Sequence, residues 1–273
     1  MERENVMSEE APVATEADAT LSDEDRAALL DVCARREEIY ALLSRLYEVE
    51  VDERLYRELC GASFPTGTGN ADVDEGYRRI ALYCASHRED ALLDLARDYA
   101  RTFIGHGNNA YAAAYPFESV YTSEKRLLMQ DARDEILRIY REGGLEVQDS
   151  WPDPEDHVAL ELAYMQIMAR RTGEALRAGD DAGALRLLGD QRRFLLRHLT
   201  SWTPLLVKDM ERIAQTDLYQ GLALLTKGLL AEDRAFLTGV IDDGDADGAS
   251  PGTAPVDADD DATGGRGREN GGR

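Results

Sequence analysis

The chain has 273 residues, of which 54 are acidic and 31 basic, for a formal charge of −23, and 43% are apolar. That balance excludes a nucleic-acid binder, which needs a basic footprint for phosphate, and it excludes docking on an anionic lipid surface. The apolar fraction is enough for a core, so global disorder is excluded as well.

The charge is concentrated at the ends. Residues 1–25 carry nine acids and one Arg, and residues 239–273 carry nine acids, three Arg and nine of the 23 glycines. Such segments bury too little apolar surface to offset their ordering entropy. Residues 1–21 and 239–273 are therefore expected to be disordered acidic tails flanking one folded unit, 22–238.

Within that unit, helix follows helix. Ser22 with Asp25 reads as a capping box opening a long helix, whose apolar stripe runs Leu29, Val32, Cys33, Ile39, Leu43, Leu46 and Tyr47. Asp52 caps a short helix bearing Leu55, Tyr56 and Leu59. Residues 65–70 form a loop, and Asp72 begins a helical pattern through Ile80 and Tyr83. Residues 88–104 follow, with Leu92, Leu95, Tyr99 and Phe103 on one side. An irregular stretch, 105–123, comes next.

Ser123 is expected to cap a helix through Leu127, Leu128, Ile136 and Ile139, stopped by Gly143 and Gly144. Asp153 and Pro154 supply an N-cap and a first-turn proline for a helix running to about Ala178. Residues 182–199 form another, ending near His198. Thr203 and Pro204 repeat the cap-then-proline start, and a last helix covers 218–237. No β-branched run alternates with polar residues. The expectation is an all-α domain of about nine helices.

Chemistry-bearing motifs are sparse. There is no phosphate-binding loop, no His-Glu-x-x-His and no nucleophile elbow. Residues 105–110 match a dinucleotide fingerprint, but a helix precedes them where that fold needs a strand. The histidines are His87, His106, His157 and His198, and none sits in a Glu-x-x-His pair. Cys33, Cys60 and Cys84 are widely spaced, which suits buried free thiols in a reducing compartment. The first twenty residues show no export signal, and no uncharged apolar run approaches the ~18 residues of a membrane span. Neither a cofactor nor a metal is expected, and the protein is expected in the cytoplasm without membrane insertion. Helical domains with long loops can exchange elements, so monomer and domain-swapped dimer both stay open.

One segment concentrates ionisable groups. In residues 152–157, Asp153 as N-cap, Pro154 at the first helical position and Asp156 at the third account for themselves. At 100° per residue, His157, Glu161, Tyr164 and Met168 fall within about 60° of one another, in the middle of the apolar face. A carboxylate and an imidazole there either satisfy each other as an i,i+4 pair or line a ligand-facing groove.

The run Asp153–His157 with Glu161, Leu162 and Met165 resembles the signature of the TorD/DmsD (NarJ-related) chaperones. Two further blocks are similar to that family: Tyr99, Phe103, Ile104 and Gly105 followed by residues 115–121, and His198, Leu199, Trp202 and Tyr219. The resemblance covers about residues 30–237. It implies an all-helical cytoplasmic chaperone, not an enzyme, whose partners are the twin-arginine signal peptide and the catalytic subunit of a molybdopterin oxidoreductase. It would hold the peptide until cofactor insertion and folding are complete. By the same resemblance the peptide-binding residues are Pro116, Glu118, Ser119, Tyr121, Pro154, Asp156, His157 and, less directly, Glu161 and Trp202; Phe117, which stands where some relatives carry Trp, joins them as an apolar contact. Asp156, Glu118 and Glu161 would meet the guanidinium groups, and Phe117, Tyr121 and Met165 the apolar segment, with loop 105–122 as a wall. The alternatives are a NarJ-type assembly chaperone acting on a mature subunit, and a helical metal-dependent hydrolase using Asp156, His157 and Glu161.

Overall fold

The computed structural model describes residues 20–86, 89–105, 112–124 and 126–241. The expected tails and the fingerprint-like stretch after Gly105 lie almost wholly outside them. Ten α-helical segments are formed among the described residues: α1 (Asp23–Glu48), α2 (Glu53–Gly61), α3 (Ala71–Ala85), α4 (Ala91–Tyr99), α5 (Glu118–Thr122), α6 (Asp131–Glu142), α7 (Val158–Ala178), α8 (Asp181–Phe194), α9 (Thr200–Ile213) and α10 (Asp217–Val240). π-helical turns extend α4 through 100–104 and join α8 to α9 through 195–199. No strand forms among the described residues, and the fold is all-α as expected. None of their helices is long and apolar enough to cross a membrane.

Local rules place the first helices well. The Ser22 hydroxyl accepts from the amide of Asp25 at 3.1 Å, and the Asp52 carboxylate caps α2 by accepting from Leu55 N at 2.8 Å. Each such cap is worth about 1 kcal/mol. For α3 the cap is Asn70, whose Oδ1 accepts from the amides of both Asp72 and Val73, so the helix starts ahead of the expected Asp72.

α7 runs through the core, with Val158, Leu162, Met165 and Ala169 fully buried, packed against α1 and α8. α10 packs against α3 and α9. Gly76 and Gly221 set the first of these crossings: a Cβ at Gly221 would stand 2.7 Å from the Gly76 carbonyl oxygen. A buried network ties the layers: Arg36 of α1 pairs with Asp233 of α10 at 2.5 Å and donates to Gln191 of α8 at 2.6 Å.

Four expectations are corrected. Ser123 does not cap a helix. Its hydroxyl accepts from Leu127 N in a loop that leaves Leu127, Leu128 and Met129 exposed, and α6 begins only at Asp131. Within the irregular 105–123 stretch, residues 118–122 form α5. Thr203-Pro204 starts no helix, because the chain stays helical from Asp181 to Ile213 through the π turn. There the hydroxyls of Thr200 and Ser201 donate to the carbonyls of Leu195 and His198, at 3.0 and 2.6 Å. Finally, Cys33 and Cys84 are buried but Cys60 is exposed.

Candidate functional site

The start of α7 departs most from expectation, and that departure builds the site. Asp153 and Pro154 lie outside the helix, which begins at Val158 with His157 as its N-cap. The preceding residues are drawn into an isolated antiparallel bridge between Phe117 and His157. Val158 N donates to the Pro116 carbonyl at 2.8 Å, and Glu118 N to the Asp156 carbonyl at 3.0 Å. The Asp156 carboxylate accepts from Ser119 N at 2.8 Å. Asp156 therefore holds the start of α5 in place and is not a third-position helix acid. With its backbone committed across the chain, residue 156 is unavailable to the helix.

His157 caps α7 through its ring: Nδ1 accepts from Ala159 N at 3.0 Å. Phe117 packs edge-on against that ring at 5.0 Å and Trp151 at 5.3 Å. Burial pushes the imidazole pKa down from 6.5 to about 3, so it is neutral. The i,i+4 pairing of His157 with Glu161 is absent.

Glu161 faces Trp202 instead, accepting from the indole Nε1 at 3.2 Å. It is fully buried, and this burial, with the Glu118 charge nearby, raises its pKa well above the carboxylate range. Glu118 pairs with His198, Oε2 to Nδ1, at 3.0 Å. Four atoms of this chamber, Asp156 Oδ1, Glu161 Oε1, His198 Nε2 and the Tyr140 hydroxyl, are buried without a hydrogen-bond partner.

The structure thus gathers Pro116, Phe117, Glu118, Ser119, Asp156, His157, Glu161 and Trp202 and buries all of them; Pro154 and Tyr121 are half-buried. Tyr121 stacks on Trp202 at 5.5 Å and donates to Asp209 at 3.2 Å, while Arg126 lies over its ring at 4.8 Å. Met165 is buried too, as are Ala113 and Ala114 of the expected loop wall, whose residues 106–111 lie outside the described ones. Among the described residues no group of His, Cys, Asp or Glu is arranged to hold a metal.

The surface beside this chamber is a groove of about 460 Å³ that none of the ten expected residues lines. Its walls are the end of α1 (Ser44, Glu48, Val49), Tyr140 of α6, loop 145–152 and the outer face of α7 (Ala159, Leu160, Ala163, Tyr164, Ile167). Trp151 belongs to both, with one wall of the groove on one side and the His157 ring on the other. Its lining includes Glu48 and Glu146, both exposed, and no Lys or Arg. Sequence reasoning missed Trp151, Tyr140 and Asp209. Trp151 sits six residues before His157, immediately ahead of the stretch already singled out, and its ring was the available signal.

Residues 69–208 match the family model described as nitrate reductase delta subunit. The chaperone protein TorD of Shewanella piezotolerans (strain WP3 / JCM 13877) is 26% identical over 215 residues, covering 74% of this chain and 92% of that one. TorD of Vibrio cholerae serotype O1 (strain ATCC 39315 / El Tor Inaba N16961) is 27% identical over 209 residues, with 74% and 92% covered. For TorD of Vibrio parahaemolyticus serotype O3:K6 (strain RIMD 2210633) the values are 28% over 211 residues, 75% and 95%. The chain belongs to the nitrate reductase delta subunit family, the NarJ/TorD family of redox-enzyme maturation chaperones, and is a chaperone rather than an enzyme.

Proposed function

We propose that this chaperone works in the cytoplasm, binds the twin-arginine signal peptide of a molybdopterin oxidoreductase precursor, and holds it until cofactor insertion and folding are complete. The observation that carries the reading is the groove over α7: an apolar floor, a rim bearing Glu48 and Glu146, and no basic lining residue. A twin-arginine peptide offers two guanidinium groups followed by an apolar stretch. The rim carboxylates supply charge-assisted hydrogen bonds to the first, and Val49, Leu160, Trp151 and Ile167 supply apolar contact to the second.

On this reading the buried signature residues act one layer below the peptide. Asp156, Ser119, Pro116 and Phe117 fix the strand-like pairing before α7, His157 seats Trp151, and Glu118, Glu161 and Trp202 hold α5 and α9 against α7. A peptide that orders on binding loses affinity to entropy, so a Kd on the order of micromolar suits a client that must be released. Titration calorimetry with the peptide and with a version in which both arginines are replaced by alanine tests this. Loss of binding with the second peptide is expected; equal affinity contradicts the reading.

A second reading, assembly on a mature oxidoreductase subunit, is favoured by the family model that matches residues 69–208, since its description is that of a nitrate reductase subunit. A pull-down with client lacking its signal peptide separates the two. Retained capture favours the second reading, and lost capture the first.

A further inference from the structure

Away from the groove over α7, a second groove of about 350 Å³ runs between α1 and α10. α1 packs chiefly on α7 and α10 chiefly on α3, and at this face the two splay apart over a buried ion pair. Arg36 donates to Asp233 at 2.5 Å, and the Phe236 ring lies 5.3 Å from its guanidinium carbon. That pair sets the level of the side chains around it. At about 100° per residue, Val32 and Ile39 fall between Arg36 and Arg35 round α1, and Leu229 and Phe236 fall between Asp233 and Glu232 round α10. Both walls are therefore apolar, and each is topped by an exposed charge, Arg35 on α1 and Glu232 on α10.

Val32, Ile39 and Phe236 are only half-buried, so the walls are open to solvent. Neither Arg35 nor Glu232 forms a hydrogen bond or ion pair with a described residue. Asp31 and Glu38, the acids one turn to either side of Arg35, lie further round α1 and do not line the groove.

We propose that this face is the interface of a homodimer, with a second copy of the chain as the occupant of the groove. The face is complementary to itself. A two-fold axis along the groove turns its positive rim onto its negative one, so that Arg35 of each copy meets Glu232 of the other. Between these two ion pairs the apolar walls close on one another and leave water. An axis across the groove would set Arg35 against Arg35 and Glu232 against Glu232, which costs free energy, so the charges select the axis as well as the partner. A helix of another protein would have to carry both signs at this spacing, whereas a second copy carries them already. The formal charge of −23 on each copy opposes association, which makes the dimer a weak one. Its expected Kd is on the order of ten micromolar.

Sedimentation equilibrium of the full chain from about 1 to 200 µM, a span that brackets this affinity, tests the interface. The wild type is expected to pass from monomer to dimer as concentration rises. R35E and E232R should each weaken the dimer at least about tenfold, since each sets like charges together twice, with helical circular dichroism unchanged. An equimolar mixture of R35E and E232R should recover association, because each supplies the sign that the other lacks. The double variant R35E/E232R should recover it too. A wild type that is monomeric at every concentration overturns the proposal. So does a dimer that R35E leaves intact, as one formed by exchange of elements would be, or a mixture of the two single variants that fails to associate.

Discussion

The ring of His157 accepts the Ala159 amide at 3.0 Å through Nδ1, which makes a histidine the N-cap of the central helix. That role requires Nδ1 to carry no proton, and burial enforces it. The same ring seats Trp151 at the wall of the groove, so one side chain joins the start of α7 to the proposed binding surface.

Protonating His157 therefore opposes folding. Its pKa falls from 6.5 to about 3 on folding, so the unfolded chain binds the proton first. Stability is full above about pH 6.5 and declines as pH drops toward 3, by up to about 1.4 kcal/mol per pH unit. Asn retains a capping oxygen without titrating. Urea unfolding of His157→Asn at several pH values should show this contribution to the acid limb flattened.

Glu161 has the opposite sign. Its pKa is raised in the folded state, so its stabilisation is full below the ordinary 4.5 and is lost as pH rises toward the folded value. Glu161→Gln retains an acceptor for the Trp202 indole and stays neutral. Its stability relative to wild type should grow with pH above about 4.5, by up to about 1.4 kcal/mol per unit, in the same urea series.

Glu118 and His198 lie 80 positions apart in sequence, and their contact joins α5 to the π turn before α9. Removing either partner strands the other in the interior, which costs about 3 kcal/mol. Removing both should cost clearly less than the two single losses together. A double-mutant cycle over Glu118→Ala and His198→Ala measures that coupling, and simple additivity would show that the pair does not interact.

Helix positions and the apolar face of α7 were legible because they follow from local periodicity and caps. Ser22, Asp52 and the stripe through Leu162 and Met165 behave as their patterns dictate. The failures share one cause. Asp153 and Pro154 carry valid start signals, but Asp156 is recruited by the amides of Glu118 and Ser119, 38 and 37 positions away, which no local rule anticipates. The continuity of α8 with α9 was hidden likewise, since Pro204 marks a start only where the preceding turn is not already helical. For the site, the sequence named residues that do gather but did not separate those beneath the surface from those on it. Glu161 is buried on α7 as its mid-face placing implies, whereas His157, equally buried, is the cap ahead of that helix and not part of its face; an apolar face in a domain with this many helices is generally covered on both sides.

The crossing of α3 and α10 leaves no room at Gly221, where an added methyl would meet the Gly76 carbonyl, Ile80 and Arg79. Gly221→Ala should destabilise the protein by about 1–3 kcal/mol despite the better helix propensity of alanine. Thermal unfolding checks this, and an unchanged or higher Tm would mean that the two helices separate at little cost.

The groove over α7 is tested most directly by reversing its rim. Glu48 and Glu146 are both exposed, so Glu48→Lys with Glu146→Lys should leave the helical circular dichroism unchanged. Titration calorimetry with a twin-arginine signal peptide should then show binding weakened at least about tenfold, equivalent to about 1.4 kcal/mol. Affinity equal to that of the wild type, in a protein of unchanged helicity, would contradict the assignment of this groove to the peptide.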